Sequence, residues 1–135
     1  MANNRSGIAC VVDSDIIINF LRGHEITRHL LNNWSEEGLL AVSAVTHLEV
    51  YYGMKSSEVP ATEAFLDGLQ SIPVDVYIAR RAGQLLSKIR SLGVTVGIAD
   101  AIIAATTLQL DVPLLTNNIR HYPFAGLKVI RGVLK

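Results

Sequence analysis

The chain has 135 residues, and 50% of them are hydrophobic, so it is long enough and apolar enough to bury a core. Charged residues make up 18%, which argues against a disordered chain. Twelve basic residues balance twelve acidic ones, so the composition lacks the basic excess of many nucleic-acid-binding proteins. These totals predict one globular domain over residues 1–135, and they leave nucleic-acid binding open because basic residues can cluster on one face.

The single cysteine and the absence of long apolar runs indicate in which cellular compartment the protein is expected. Cys10 has no partner for an internal disulfide, and its apolar surroundings favour a small buried side chain over a nucleophile. No stretch of about 18 apolar residues predicts a transmembrane helix. The apolar run before Asp13 is too short for a secretion signal. We therefore expect a cytoplasmic protein.

Strands and helices are predicted to alternate along the chain. Ser14 is the expected N-cap of the first helix, and Ser43 is the expected N-cap of the third. The predicted strands are 8–12, 39–42, 73–76 (strand or extended link), 114–116 and 127–130, and the predicted helices are 15–21, 26–34 (helix or turn), 44–54, 59–69, 77–92 and 100–110. This alternation favours a three-layer α/β/α sandwich with a central, mainly parallel sheet.

Three acidic residues stand where an ionised carboxylate is costly. Asp13 follows the apolar run 8–12, Asp100 opens the apolar run 101–105, and Glu49 lies in a third apolar segment. Charged groups in such places are usually paired or bound to a metal. Three acids on hydrophobic elements therefore predict a site for a hard divalent cation, and such a site suggests phosphate chemistry.

The predicted fold places two of the polar residues at one edge. Ligands of parallel α/β sheets bind at the carboxyl ends of the strands. Asp13 ends the first predicted strand, and Asn118 follows the strand 114–116. The acids are far apart in sequence, so only the fold can bring them together.

Four segments of the chain resemble the motifs of the PIN-domain nucleases. They occur in family order as Val-Val-Asp-Ser-Asp at 11–15, Thr-His-Leu-Glu-Val-Tyr-Tyr-Gly at 46–53, Gly-Ile-Ala-Asp-Ala-Ile-Ile-Ala-Ala at 97–105, and Leu-Thr-Asn-Asn-Ile-Arg-His-Tyr at 115–122. Within the family, the short form resembles the VapC-type toxins of toxin–antitoxin pairs. The fourth motif departs from many members, because Asn118 stands where they have an aspartate.

The resemblance implies an Mg²⁺- or Mn²⁺-dependent endoribonuclease that hydrolyses phosphodiester bonds in single-stranded or structured RNA. Asp13, Glu49 and Asp100 would bind one or two ions directly or through water. Mg²⁺ suits a sparse acidic cluster because it keeps several waters. Asn118 would orient the attacking water or a ligand.

The resemblance also implies contacts with substrate and with other proteins. The hydroxyl groups of Ser14 and Thr116 would hold water or a phosphate oxygen, and Arg120 and His121 would reach the substrate phosphate. Family members of this type commonly form homodimers. A cognate antitoxin would occupy the active-site groove, often through an arginine that pairs with the acids. No membrane partner is expected.

Other functions fit part of the pattern. The segment Asp13-Ser14-Asp15 also matches the first motif of haloacid-dehalogenase-like phosphatases, in which Asp13 would be the nucleophile and Asp15 the acid and base. The missing fourth acid allows a PIN scaffold that binds RNA or a protein without cleaving. Asp13 and Asp100 can also serve as helix caps. Asp15 is either a first-turn residue of its helix or a further acid of the site.

Overall fold

The computed structural model describes residues 7–132, in which five parallel strands form one sheet between helices. The strands are β1 Ile8–Val12, β2 Leu39–Ser43, β3 Gln70–Ile72, β4 Leu114–Thr116 and β5 Val129–Arg131. The helices are α1 Ser14–Leu21, α2 Glu25–Ser35, α3 Ala44–Gly53, α4 Val59–Asp67, α5 Val76–Ser91 and α6 Ile98–Leu110, with short 3₁₀ helices at Ser56–Glu58 and Ile119–His121. The predicted α/β/α sandwich is confirmed.

The central strand β1 is apolar along its length because both faces of the sheet are covered. Val11 packs into the core that α5 and α6 share with the sheet. Its neighbours Cys10 and Val12 point to the opposite face, where α1, α2 and α4 complete a second core. Cys10 is fully buried, as predicted, and this burial raises the pKa of its thiol to about 12.

The strand order β3-β2-β1-β4-β5 creates a switch point in the middle of the sheet. The chain fills one side of β1 with β2 and β3 and then crosses to the other side for β4 and β5. Parallel sheets of this type bind ligands at such a point, beyond the carboxyl ends of the two central strands. Asp13 follows β1 at that point, and Asn117 follows β4.

A side-chain hydrogen bond moves the predicted N-cap of α1 by one residue. The N-cap of α1 is Asp13 and not Ser14, because the Ser14 backbone N–H donates to Asp13 Oδ1 at 2.8 Å. The third strand lies at Gln70–Ile72, before the predicted segment, and of the two predicted alternatives for 73–76 the extended link holds for residues 73–75. Asp75 ends that link by accepting a hydrogen bond from the Ile78 N–H at 2.8 Å. The predicted cap at Ser43 is confirmed, since its Oγ accepts from the Val45 N–H at 3.1 Å.

Helix α3 presents apolar side chains to solvent. Its buried residues are Thr46 and Val50, whereas Leu48 is 66% exposed and Tyr52 is 91% exposed. The sequence does not identify this face, because apolar residues lie all around the helix. No helix within residues 7–132 combines the length and the apolar character that crossing a membrane requires.

Candidate active site

Asp13 is the best-anchored residue at the carboxyl edge of the sheet. It is only 4% exposed, although it is an aspartate. Its Oδ2 accepts hydrogen bonds from Thr116 Oγ1 at 2.8 Å and from the Tyr122 hydroxyl at 2.9 Å, while its Oδ1 accepts from the Ser14 N–H. Three donors fix the orientation of the carboxylate and offset the cost of its burial.

Thr116 links the ends of the two central strands. Its hydroxyl donates to Asp13 and accepts a hydrogen bond from the Asn118 backbone N–H at 2.9 Å. A hydroxyl group can do both at once. Thr116 therefore holds the turn after β4 against the end of β1, and it is itself fully buried.

Tyr122 joins two of the predicted acidic residues. Its hydroxyl lies 2.9 Å from Asp13 Oδ2 and 3.3 Å from Asp100 Oδ1. Burial and the charges of Asp13 and Asp100 raise the pKa of Tyr122 far above its usual value. The phenol therefore keeps its proton, and because it has only one it donates to one carboxylate at a time.

Asp100 occupies the first turn of α6, and it is only partly buried. Burial raises its pKa, and the charge of Asp13 raises it further. His121 and the Tyr122 hydroxyl oppose this increase in the pKa of Asp100. His121 Nδ1 lies 3.4 Å from Asp100 Oδ2, so a protonated His121 forms an ion pair with this acid.

Glu49, on α3, completes the set of three acids that the sequence predicts. Burial raises its pKa, followed by the charge of Asp13, and the charge of Asp100 adds to the effect. The Ser14 hydroxyl opposes this increase. Glu49 Oε1 is buried without a hydrogen-bond partner within the described residues. The fold thus brings Asp13, Glu49 and Asp100 close enough to repel one another.

Asp15 faces the same site. Its Oδ2 accepts a hydrogen bond from the Asn117 backbone N–H at 2.9 Å, across from α1 to the end of β4. Its Oδ1 is buried and has no partner among residues 7–132. Burial, followed by the charge of Asp13, raises the pKa of Asp15 to about 6. Asp15 is in the first turn of α1, and it is also the fourth carboxylate at this edge.

The four carboxylates are suited to a hard cation. Their charges repel, and the oxygen atoms Asp15 Oδ1 and Glu49 Oε1 are buried without partners. In the part of the chain that the structure describes, no three His, Cys, Asp or Glu side chains are grouped so as to hold one metal ion by themselves. Carboxylate oxygens are ligands of hard cations such as Mg²⁺, which keeps several waters when it binds.

The remaining predicted residues lie around this cluster. Asn118 is exposed, and its recorded hydrogen bond is made by its backbone N–H to Thr116. Arg120 is also exposed and makes no ion pair with the acids in the described residues. His121 contacts Asp100.

Two polar residues of the site were not identified from the sequence. Tyr122 belongs to the fourth motif, but an aromatic side chain there reads as a core residue, and only the fold shows where its hydroxyl points. The backbone N–H of Asn117 is the partner of Asp15. Its side-chain Oδ1 is buried without a partner in the described chain. Apart from their closeness to Thr116 in the sequence, nothing in the amino-acid sequence indicates these two roles.

Comparison with known proteins identifies the family. The PIN domain sequence profile matches residues 10–127 of the chain. Ribonuclease VapC10 of Mycobacterium tuberculosis (strain ATCC 25618 / H37Rv) is 36% identical over 119 residues, which are 87% of this chain and 90% of that protein. Ribonuclease VapC19 of the same strain is 34% identical over 117 residues, which are 84% of this chain and 91% of that protein.

Solved structures share the fold. A toxin–antitoxin complex from Klebsiella pneumoniae contains a chain that is 25% identical, with a TM-score of 0.78 over 94% of this chain and 100% of that one. DNA-bound VapBC from Salmonella typhimurium contains a chain with a TM-score of 0.83 at 21% identity, over 93% of this chain and 99% of that one. Profile, relatives and fold together show that the chain belongs to the PIN domain family, among its VapC-type members.

Proposed function

We propose that the protein is a divalent-metal-dependent endoribonuclease and the toxin of a toxin–antitoxin pair. The observation that carries the proposal is Asp13, a buried carboxylate that Thr116 and Tyr122 hold among further acids. The ribonuclease names of the two relatives from M. tuberculosis support the same activity. Membership of the PIN family favours a nuclease over the phosphatase alternative.

In this proposal Asp13, Glu49 and Asp100 hold one or two Mg²⁺ or Mn²⁺ ions, directly or through water. When bound, the cation lowers the pKa of water and neutralises charge that develops on the phosphate. Asp15 adds negative charge and an unpartnered oxygen beside these acids. The hydroxyl groups of Thr116 and Tyr122 hold Asp13 in place. Neither has to move when a cation binds, because the carboxylate still has a free lone pair.

The substrate contacts lie at the rim of the cluster. Arg120 supplies positive charge for a phosphate, and His121, whose Nδ1 lies 3.4 Å from Asp100 Oδ2, would contact a phosphate beside the acids. Asn118 and Ser14 stand at the ends of β4 and β1, where their polar side chains orient water or a phosphate oxygen.

The partner in this proposal is an antitoxin, as in the toxin–antitoxin complex from K. pneumoniae. Two features of the surface are consistent with protein partners. A cavity of about 260 Å³ between α1, α3 and α4 has apolar lining from Ile18, Leu21, Val50 and Met54, which suits apolar side chains of a partner helix. The exposed Leu48 and Tyr52 on α3 are consistent with the homodimer.

An RNA substrate and a lone buried cysteine are consistent with a cytoplasmic protein.

The test is cleavage of a panel of single-stranded and structured RNAs by purified protein with Mn²⁺ or Mg²⁺, with EDTA and with Asp13→Asn as controls. We expect metal-dependent fragments that EDTA and the substitution both abolish. Binding of RNA without cleavage above the Asp13→Asn background would support the non-cleaving alternative. Release of phosphate from a phosphomonoester without RNA cleavage would support the phosphatase.

A further inference from the structure

A second polar site lies beside the acidic cluster. A cavity of about 360 Å³ opens at the carboxyl ends of β4 and β5, and its lining residues are Asn117, Asn118, Ile119, Arg120, His121 and Arg131. None of the four carboxylates of the acidic cluster lines it. The two sites meet at His121, whose Nδ1 lies 3.4 Å from Asp100 Oδ2. The cavity is thus a separate pocket that adjoins the site already described.

The lining of this cavity is suited to an anion. It contains two arginines and two amides but no acidic side chain. Neither Arg120 nor Arg131 forms an ion pair with an acid within residues 7–132. The charges of the chain balance overall. At this edge of the sheet, two unpaired guanidinium groups lie beside four carboxylates, so positive and negative charges are locally separated. Arginine is the side chain that binds phosphate most specifically, through paired hydrogen bonds.

Strand pairing fixes the position of Arg131. It lies opposite Thr116 in the parallel register of β4 and β5, so both side chains leave the sheet on the same face. The Gly132 N–H donates to the Thr116 carbonyl at 3.1 Å, and a side chain at Gly132 would overlap Ile16. This end of β5 therefore sits tightly against β4 and α1.

The register also sets the distance between Arg131 and the acids. Thr116 is one strand from Arg131, and Asp13 follows the next strand. Two strand spacings amount to roughly 10 Å. This separation of the backbones leaves room for an anion at Arg131 beside the group at the acidic cluster, as for a neighbouring phosphate of the same chain.

We propose that this cavity is a subsite for a backbone phosphate of RNA next to the scissile one, with Arg131 and Arg120 as its cationic contacts. The inference rests on the proposed ribonuclease function and names a binding residue, Arg131, that the sequence motifs do not include. It gives a chain without a basic excess two cationic contacts for a polyanion, side by side at one end of β4 and β5.

The test compares Arg131→Gln with Lys128→Gln. Lys128 is an exposed cation that directly precedes β5, at the end of the strand away from the cavity. Binding of a fluorescein-labelled 20-nucleotide single-stranded RNA is measured by anisotropy in EDTA across a range of salt concentrations. For Arg131→Gln we expect about tenfold weaker binding and a salt slope reduced by about 0.7. Lys128→Gln should change the affinity less than about twofold.

Cleavage kinetics with Mn²⁺ give a second measurement. Because Arg131 holds a phosphate away from the reacting one, Arg131→Gln should raise KM with kcat unchanged. Circular dichroism and the melting temperature check that both variants fold.

Three results would overturn the subsite. One is an Arg131→Gln protein with wild-type RNA affinity, salt slope and KM; if the wild type still cleaves RNA, the proposed function stands and only the subsite fails. Another is a loss of kcat alone, which would place Arg131 in the chemistry. The third is preferential binding of a glutamate-rich peptide over RNA, lost in Arg131→Gln, which would assign the cavity to a protein. A wild-type protein that neither binds nor cleaves RNA overturns both proposals.

Discussion

The carboxyl edge of the sheet has an acidic half and a basic half, and the two are built differently. In the acidic half, Asp13 is nearly inaccessible and two hydroxyl groups from the far end of the chain hold its carboxylate. In the basic half, Arg120 and Arg131 are exposed and have no acidic partner within residues 7–132. Groups that take part in chemistry require a fixed geometry, whereas groups that attract a flexible polymer mainly require charge.

The largest effect should come from removing the charge at the centre of the acidic half. Asp13→Asn keeps the size of the side chain but removes the negative charge of the carboxylate, whose two oxygens three donors now hold. Loss of a residue that only supports a metal ligand typically costs roughly 10–100-fold in activity. We expect RNA cleavage by Asp13→Asn to fall by more than this, with a melting temperature close to that of the wild type. Residual cleavage within about threefold of wild type, well short of that range, would show that Asp13 is only a helix cap.

Removing the support of Asp13 tests whether rigidity matters in the acidic half. Thr116→Val keeps the shape of the side chain but removes both the donor to Asp13 and the acceptor for the Asn118 N–H. We expect activity and Mn²⁺ affinity to fall by about 10–100-fold. Thr116→Ser is the matched control, since its hydroxyl can restore both hydrogen bonds. Equal losses in the two variants would assign the effect to packing.

Tyr122→Phe should have a smaller effect, because Thr116 still donates to the same oxygen of Asp13. Without metal, we expect the free energy of unfolding to fall by about 1.5–3 kcal/mol, the usual range for a hydrogen bond to a charged group. With saturating Mn²⁺ the loss should be smaller, since the cation then offsets the repulsion between Asp13 and Asp100. Denaturation with and without Mn²⁺ measures this difference, and Tyr77→Phe, at an exposed tyrosine, is the control. The same loss in both conditions would contradict the prediction.

The smallest effect concerns the stability of the apo protein against pH. Burial and Asp13 raise the pKa of Asp15 from 3.8 to about 6, so the folded state binds this proton more tightly than the unfolded state. The contribution of Asp15 to stability is therefore favourable below about pH 4 and is lost as the pH rises through about 6. Asp15→Asn should remove this dependence and stabilise the apo protein at pH 8 by about 1 kcal/mol, a figure reduced for partial exposure.

Denaturation in EDTA at pH 4 and pH 8 checks the prediction for Asp15, with Glu37→Gln as the control at an exposed acid. The stabilisation should be absent at pH 4, where Asp15 is protonated. A gain of equal size at both values of pH would mean that the charge of Asp15 is not the cause.

The layers of this protein and the residue types of its acidic half follow from local signals in the amino-acid sequence. Runs of hydrophobic residues, whether alternating with polar ones or continuous, are local signals. The five strands and the helices between them could therefore be predicted, apart from the shift of β3. Asp13, Glu49 and Asp100 were identifiable because each interrupts such a run. The rule that parallel sheets bind ligands at the carboxyl ends of strands then predicted where these acids meet.

The groups that hold the acids, and the presence of Asp15 among them, depend on the tertiary structure. The partners of Asp13 are Thr116 and Tyr122, more than 100 residues along the chain, and the partner of Asp15 is the Asn117 N–H at a similar separation. The alignment of Arg131 with Thr116 likewise follows from the pairing of β4 with β5. Hydrogen bonds of this kind depend on strand order and register, which arise from packing the whole chain and leave no local pattern in the residues that make them.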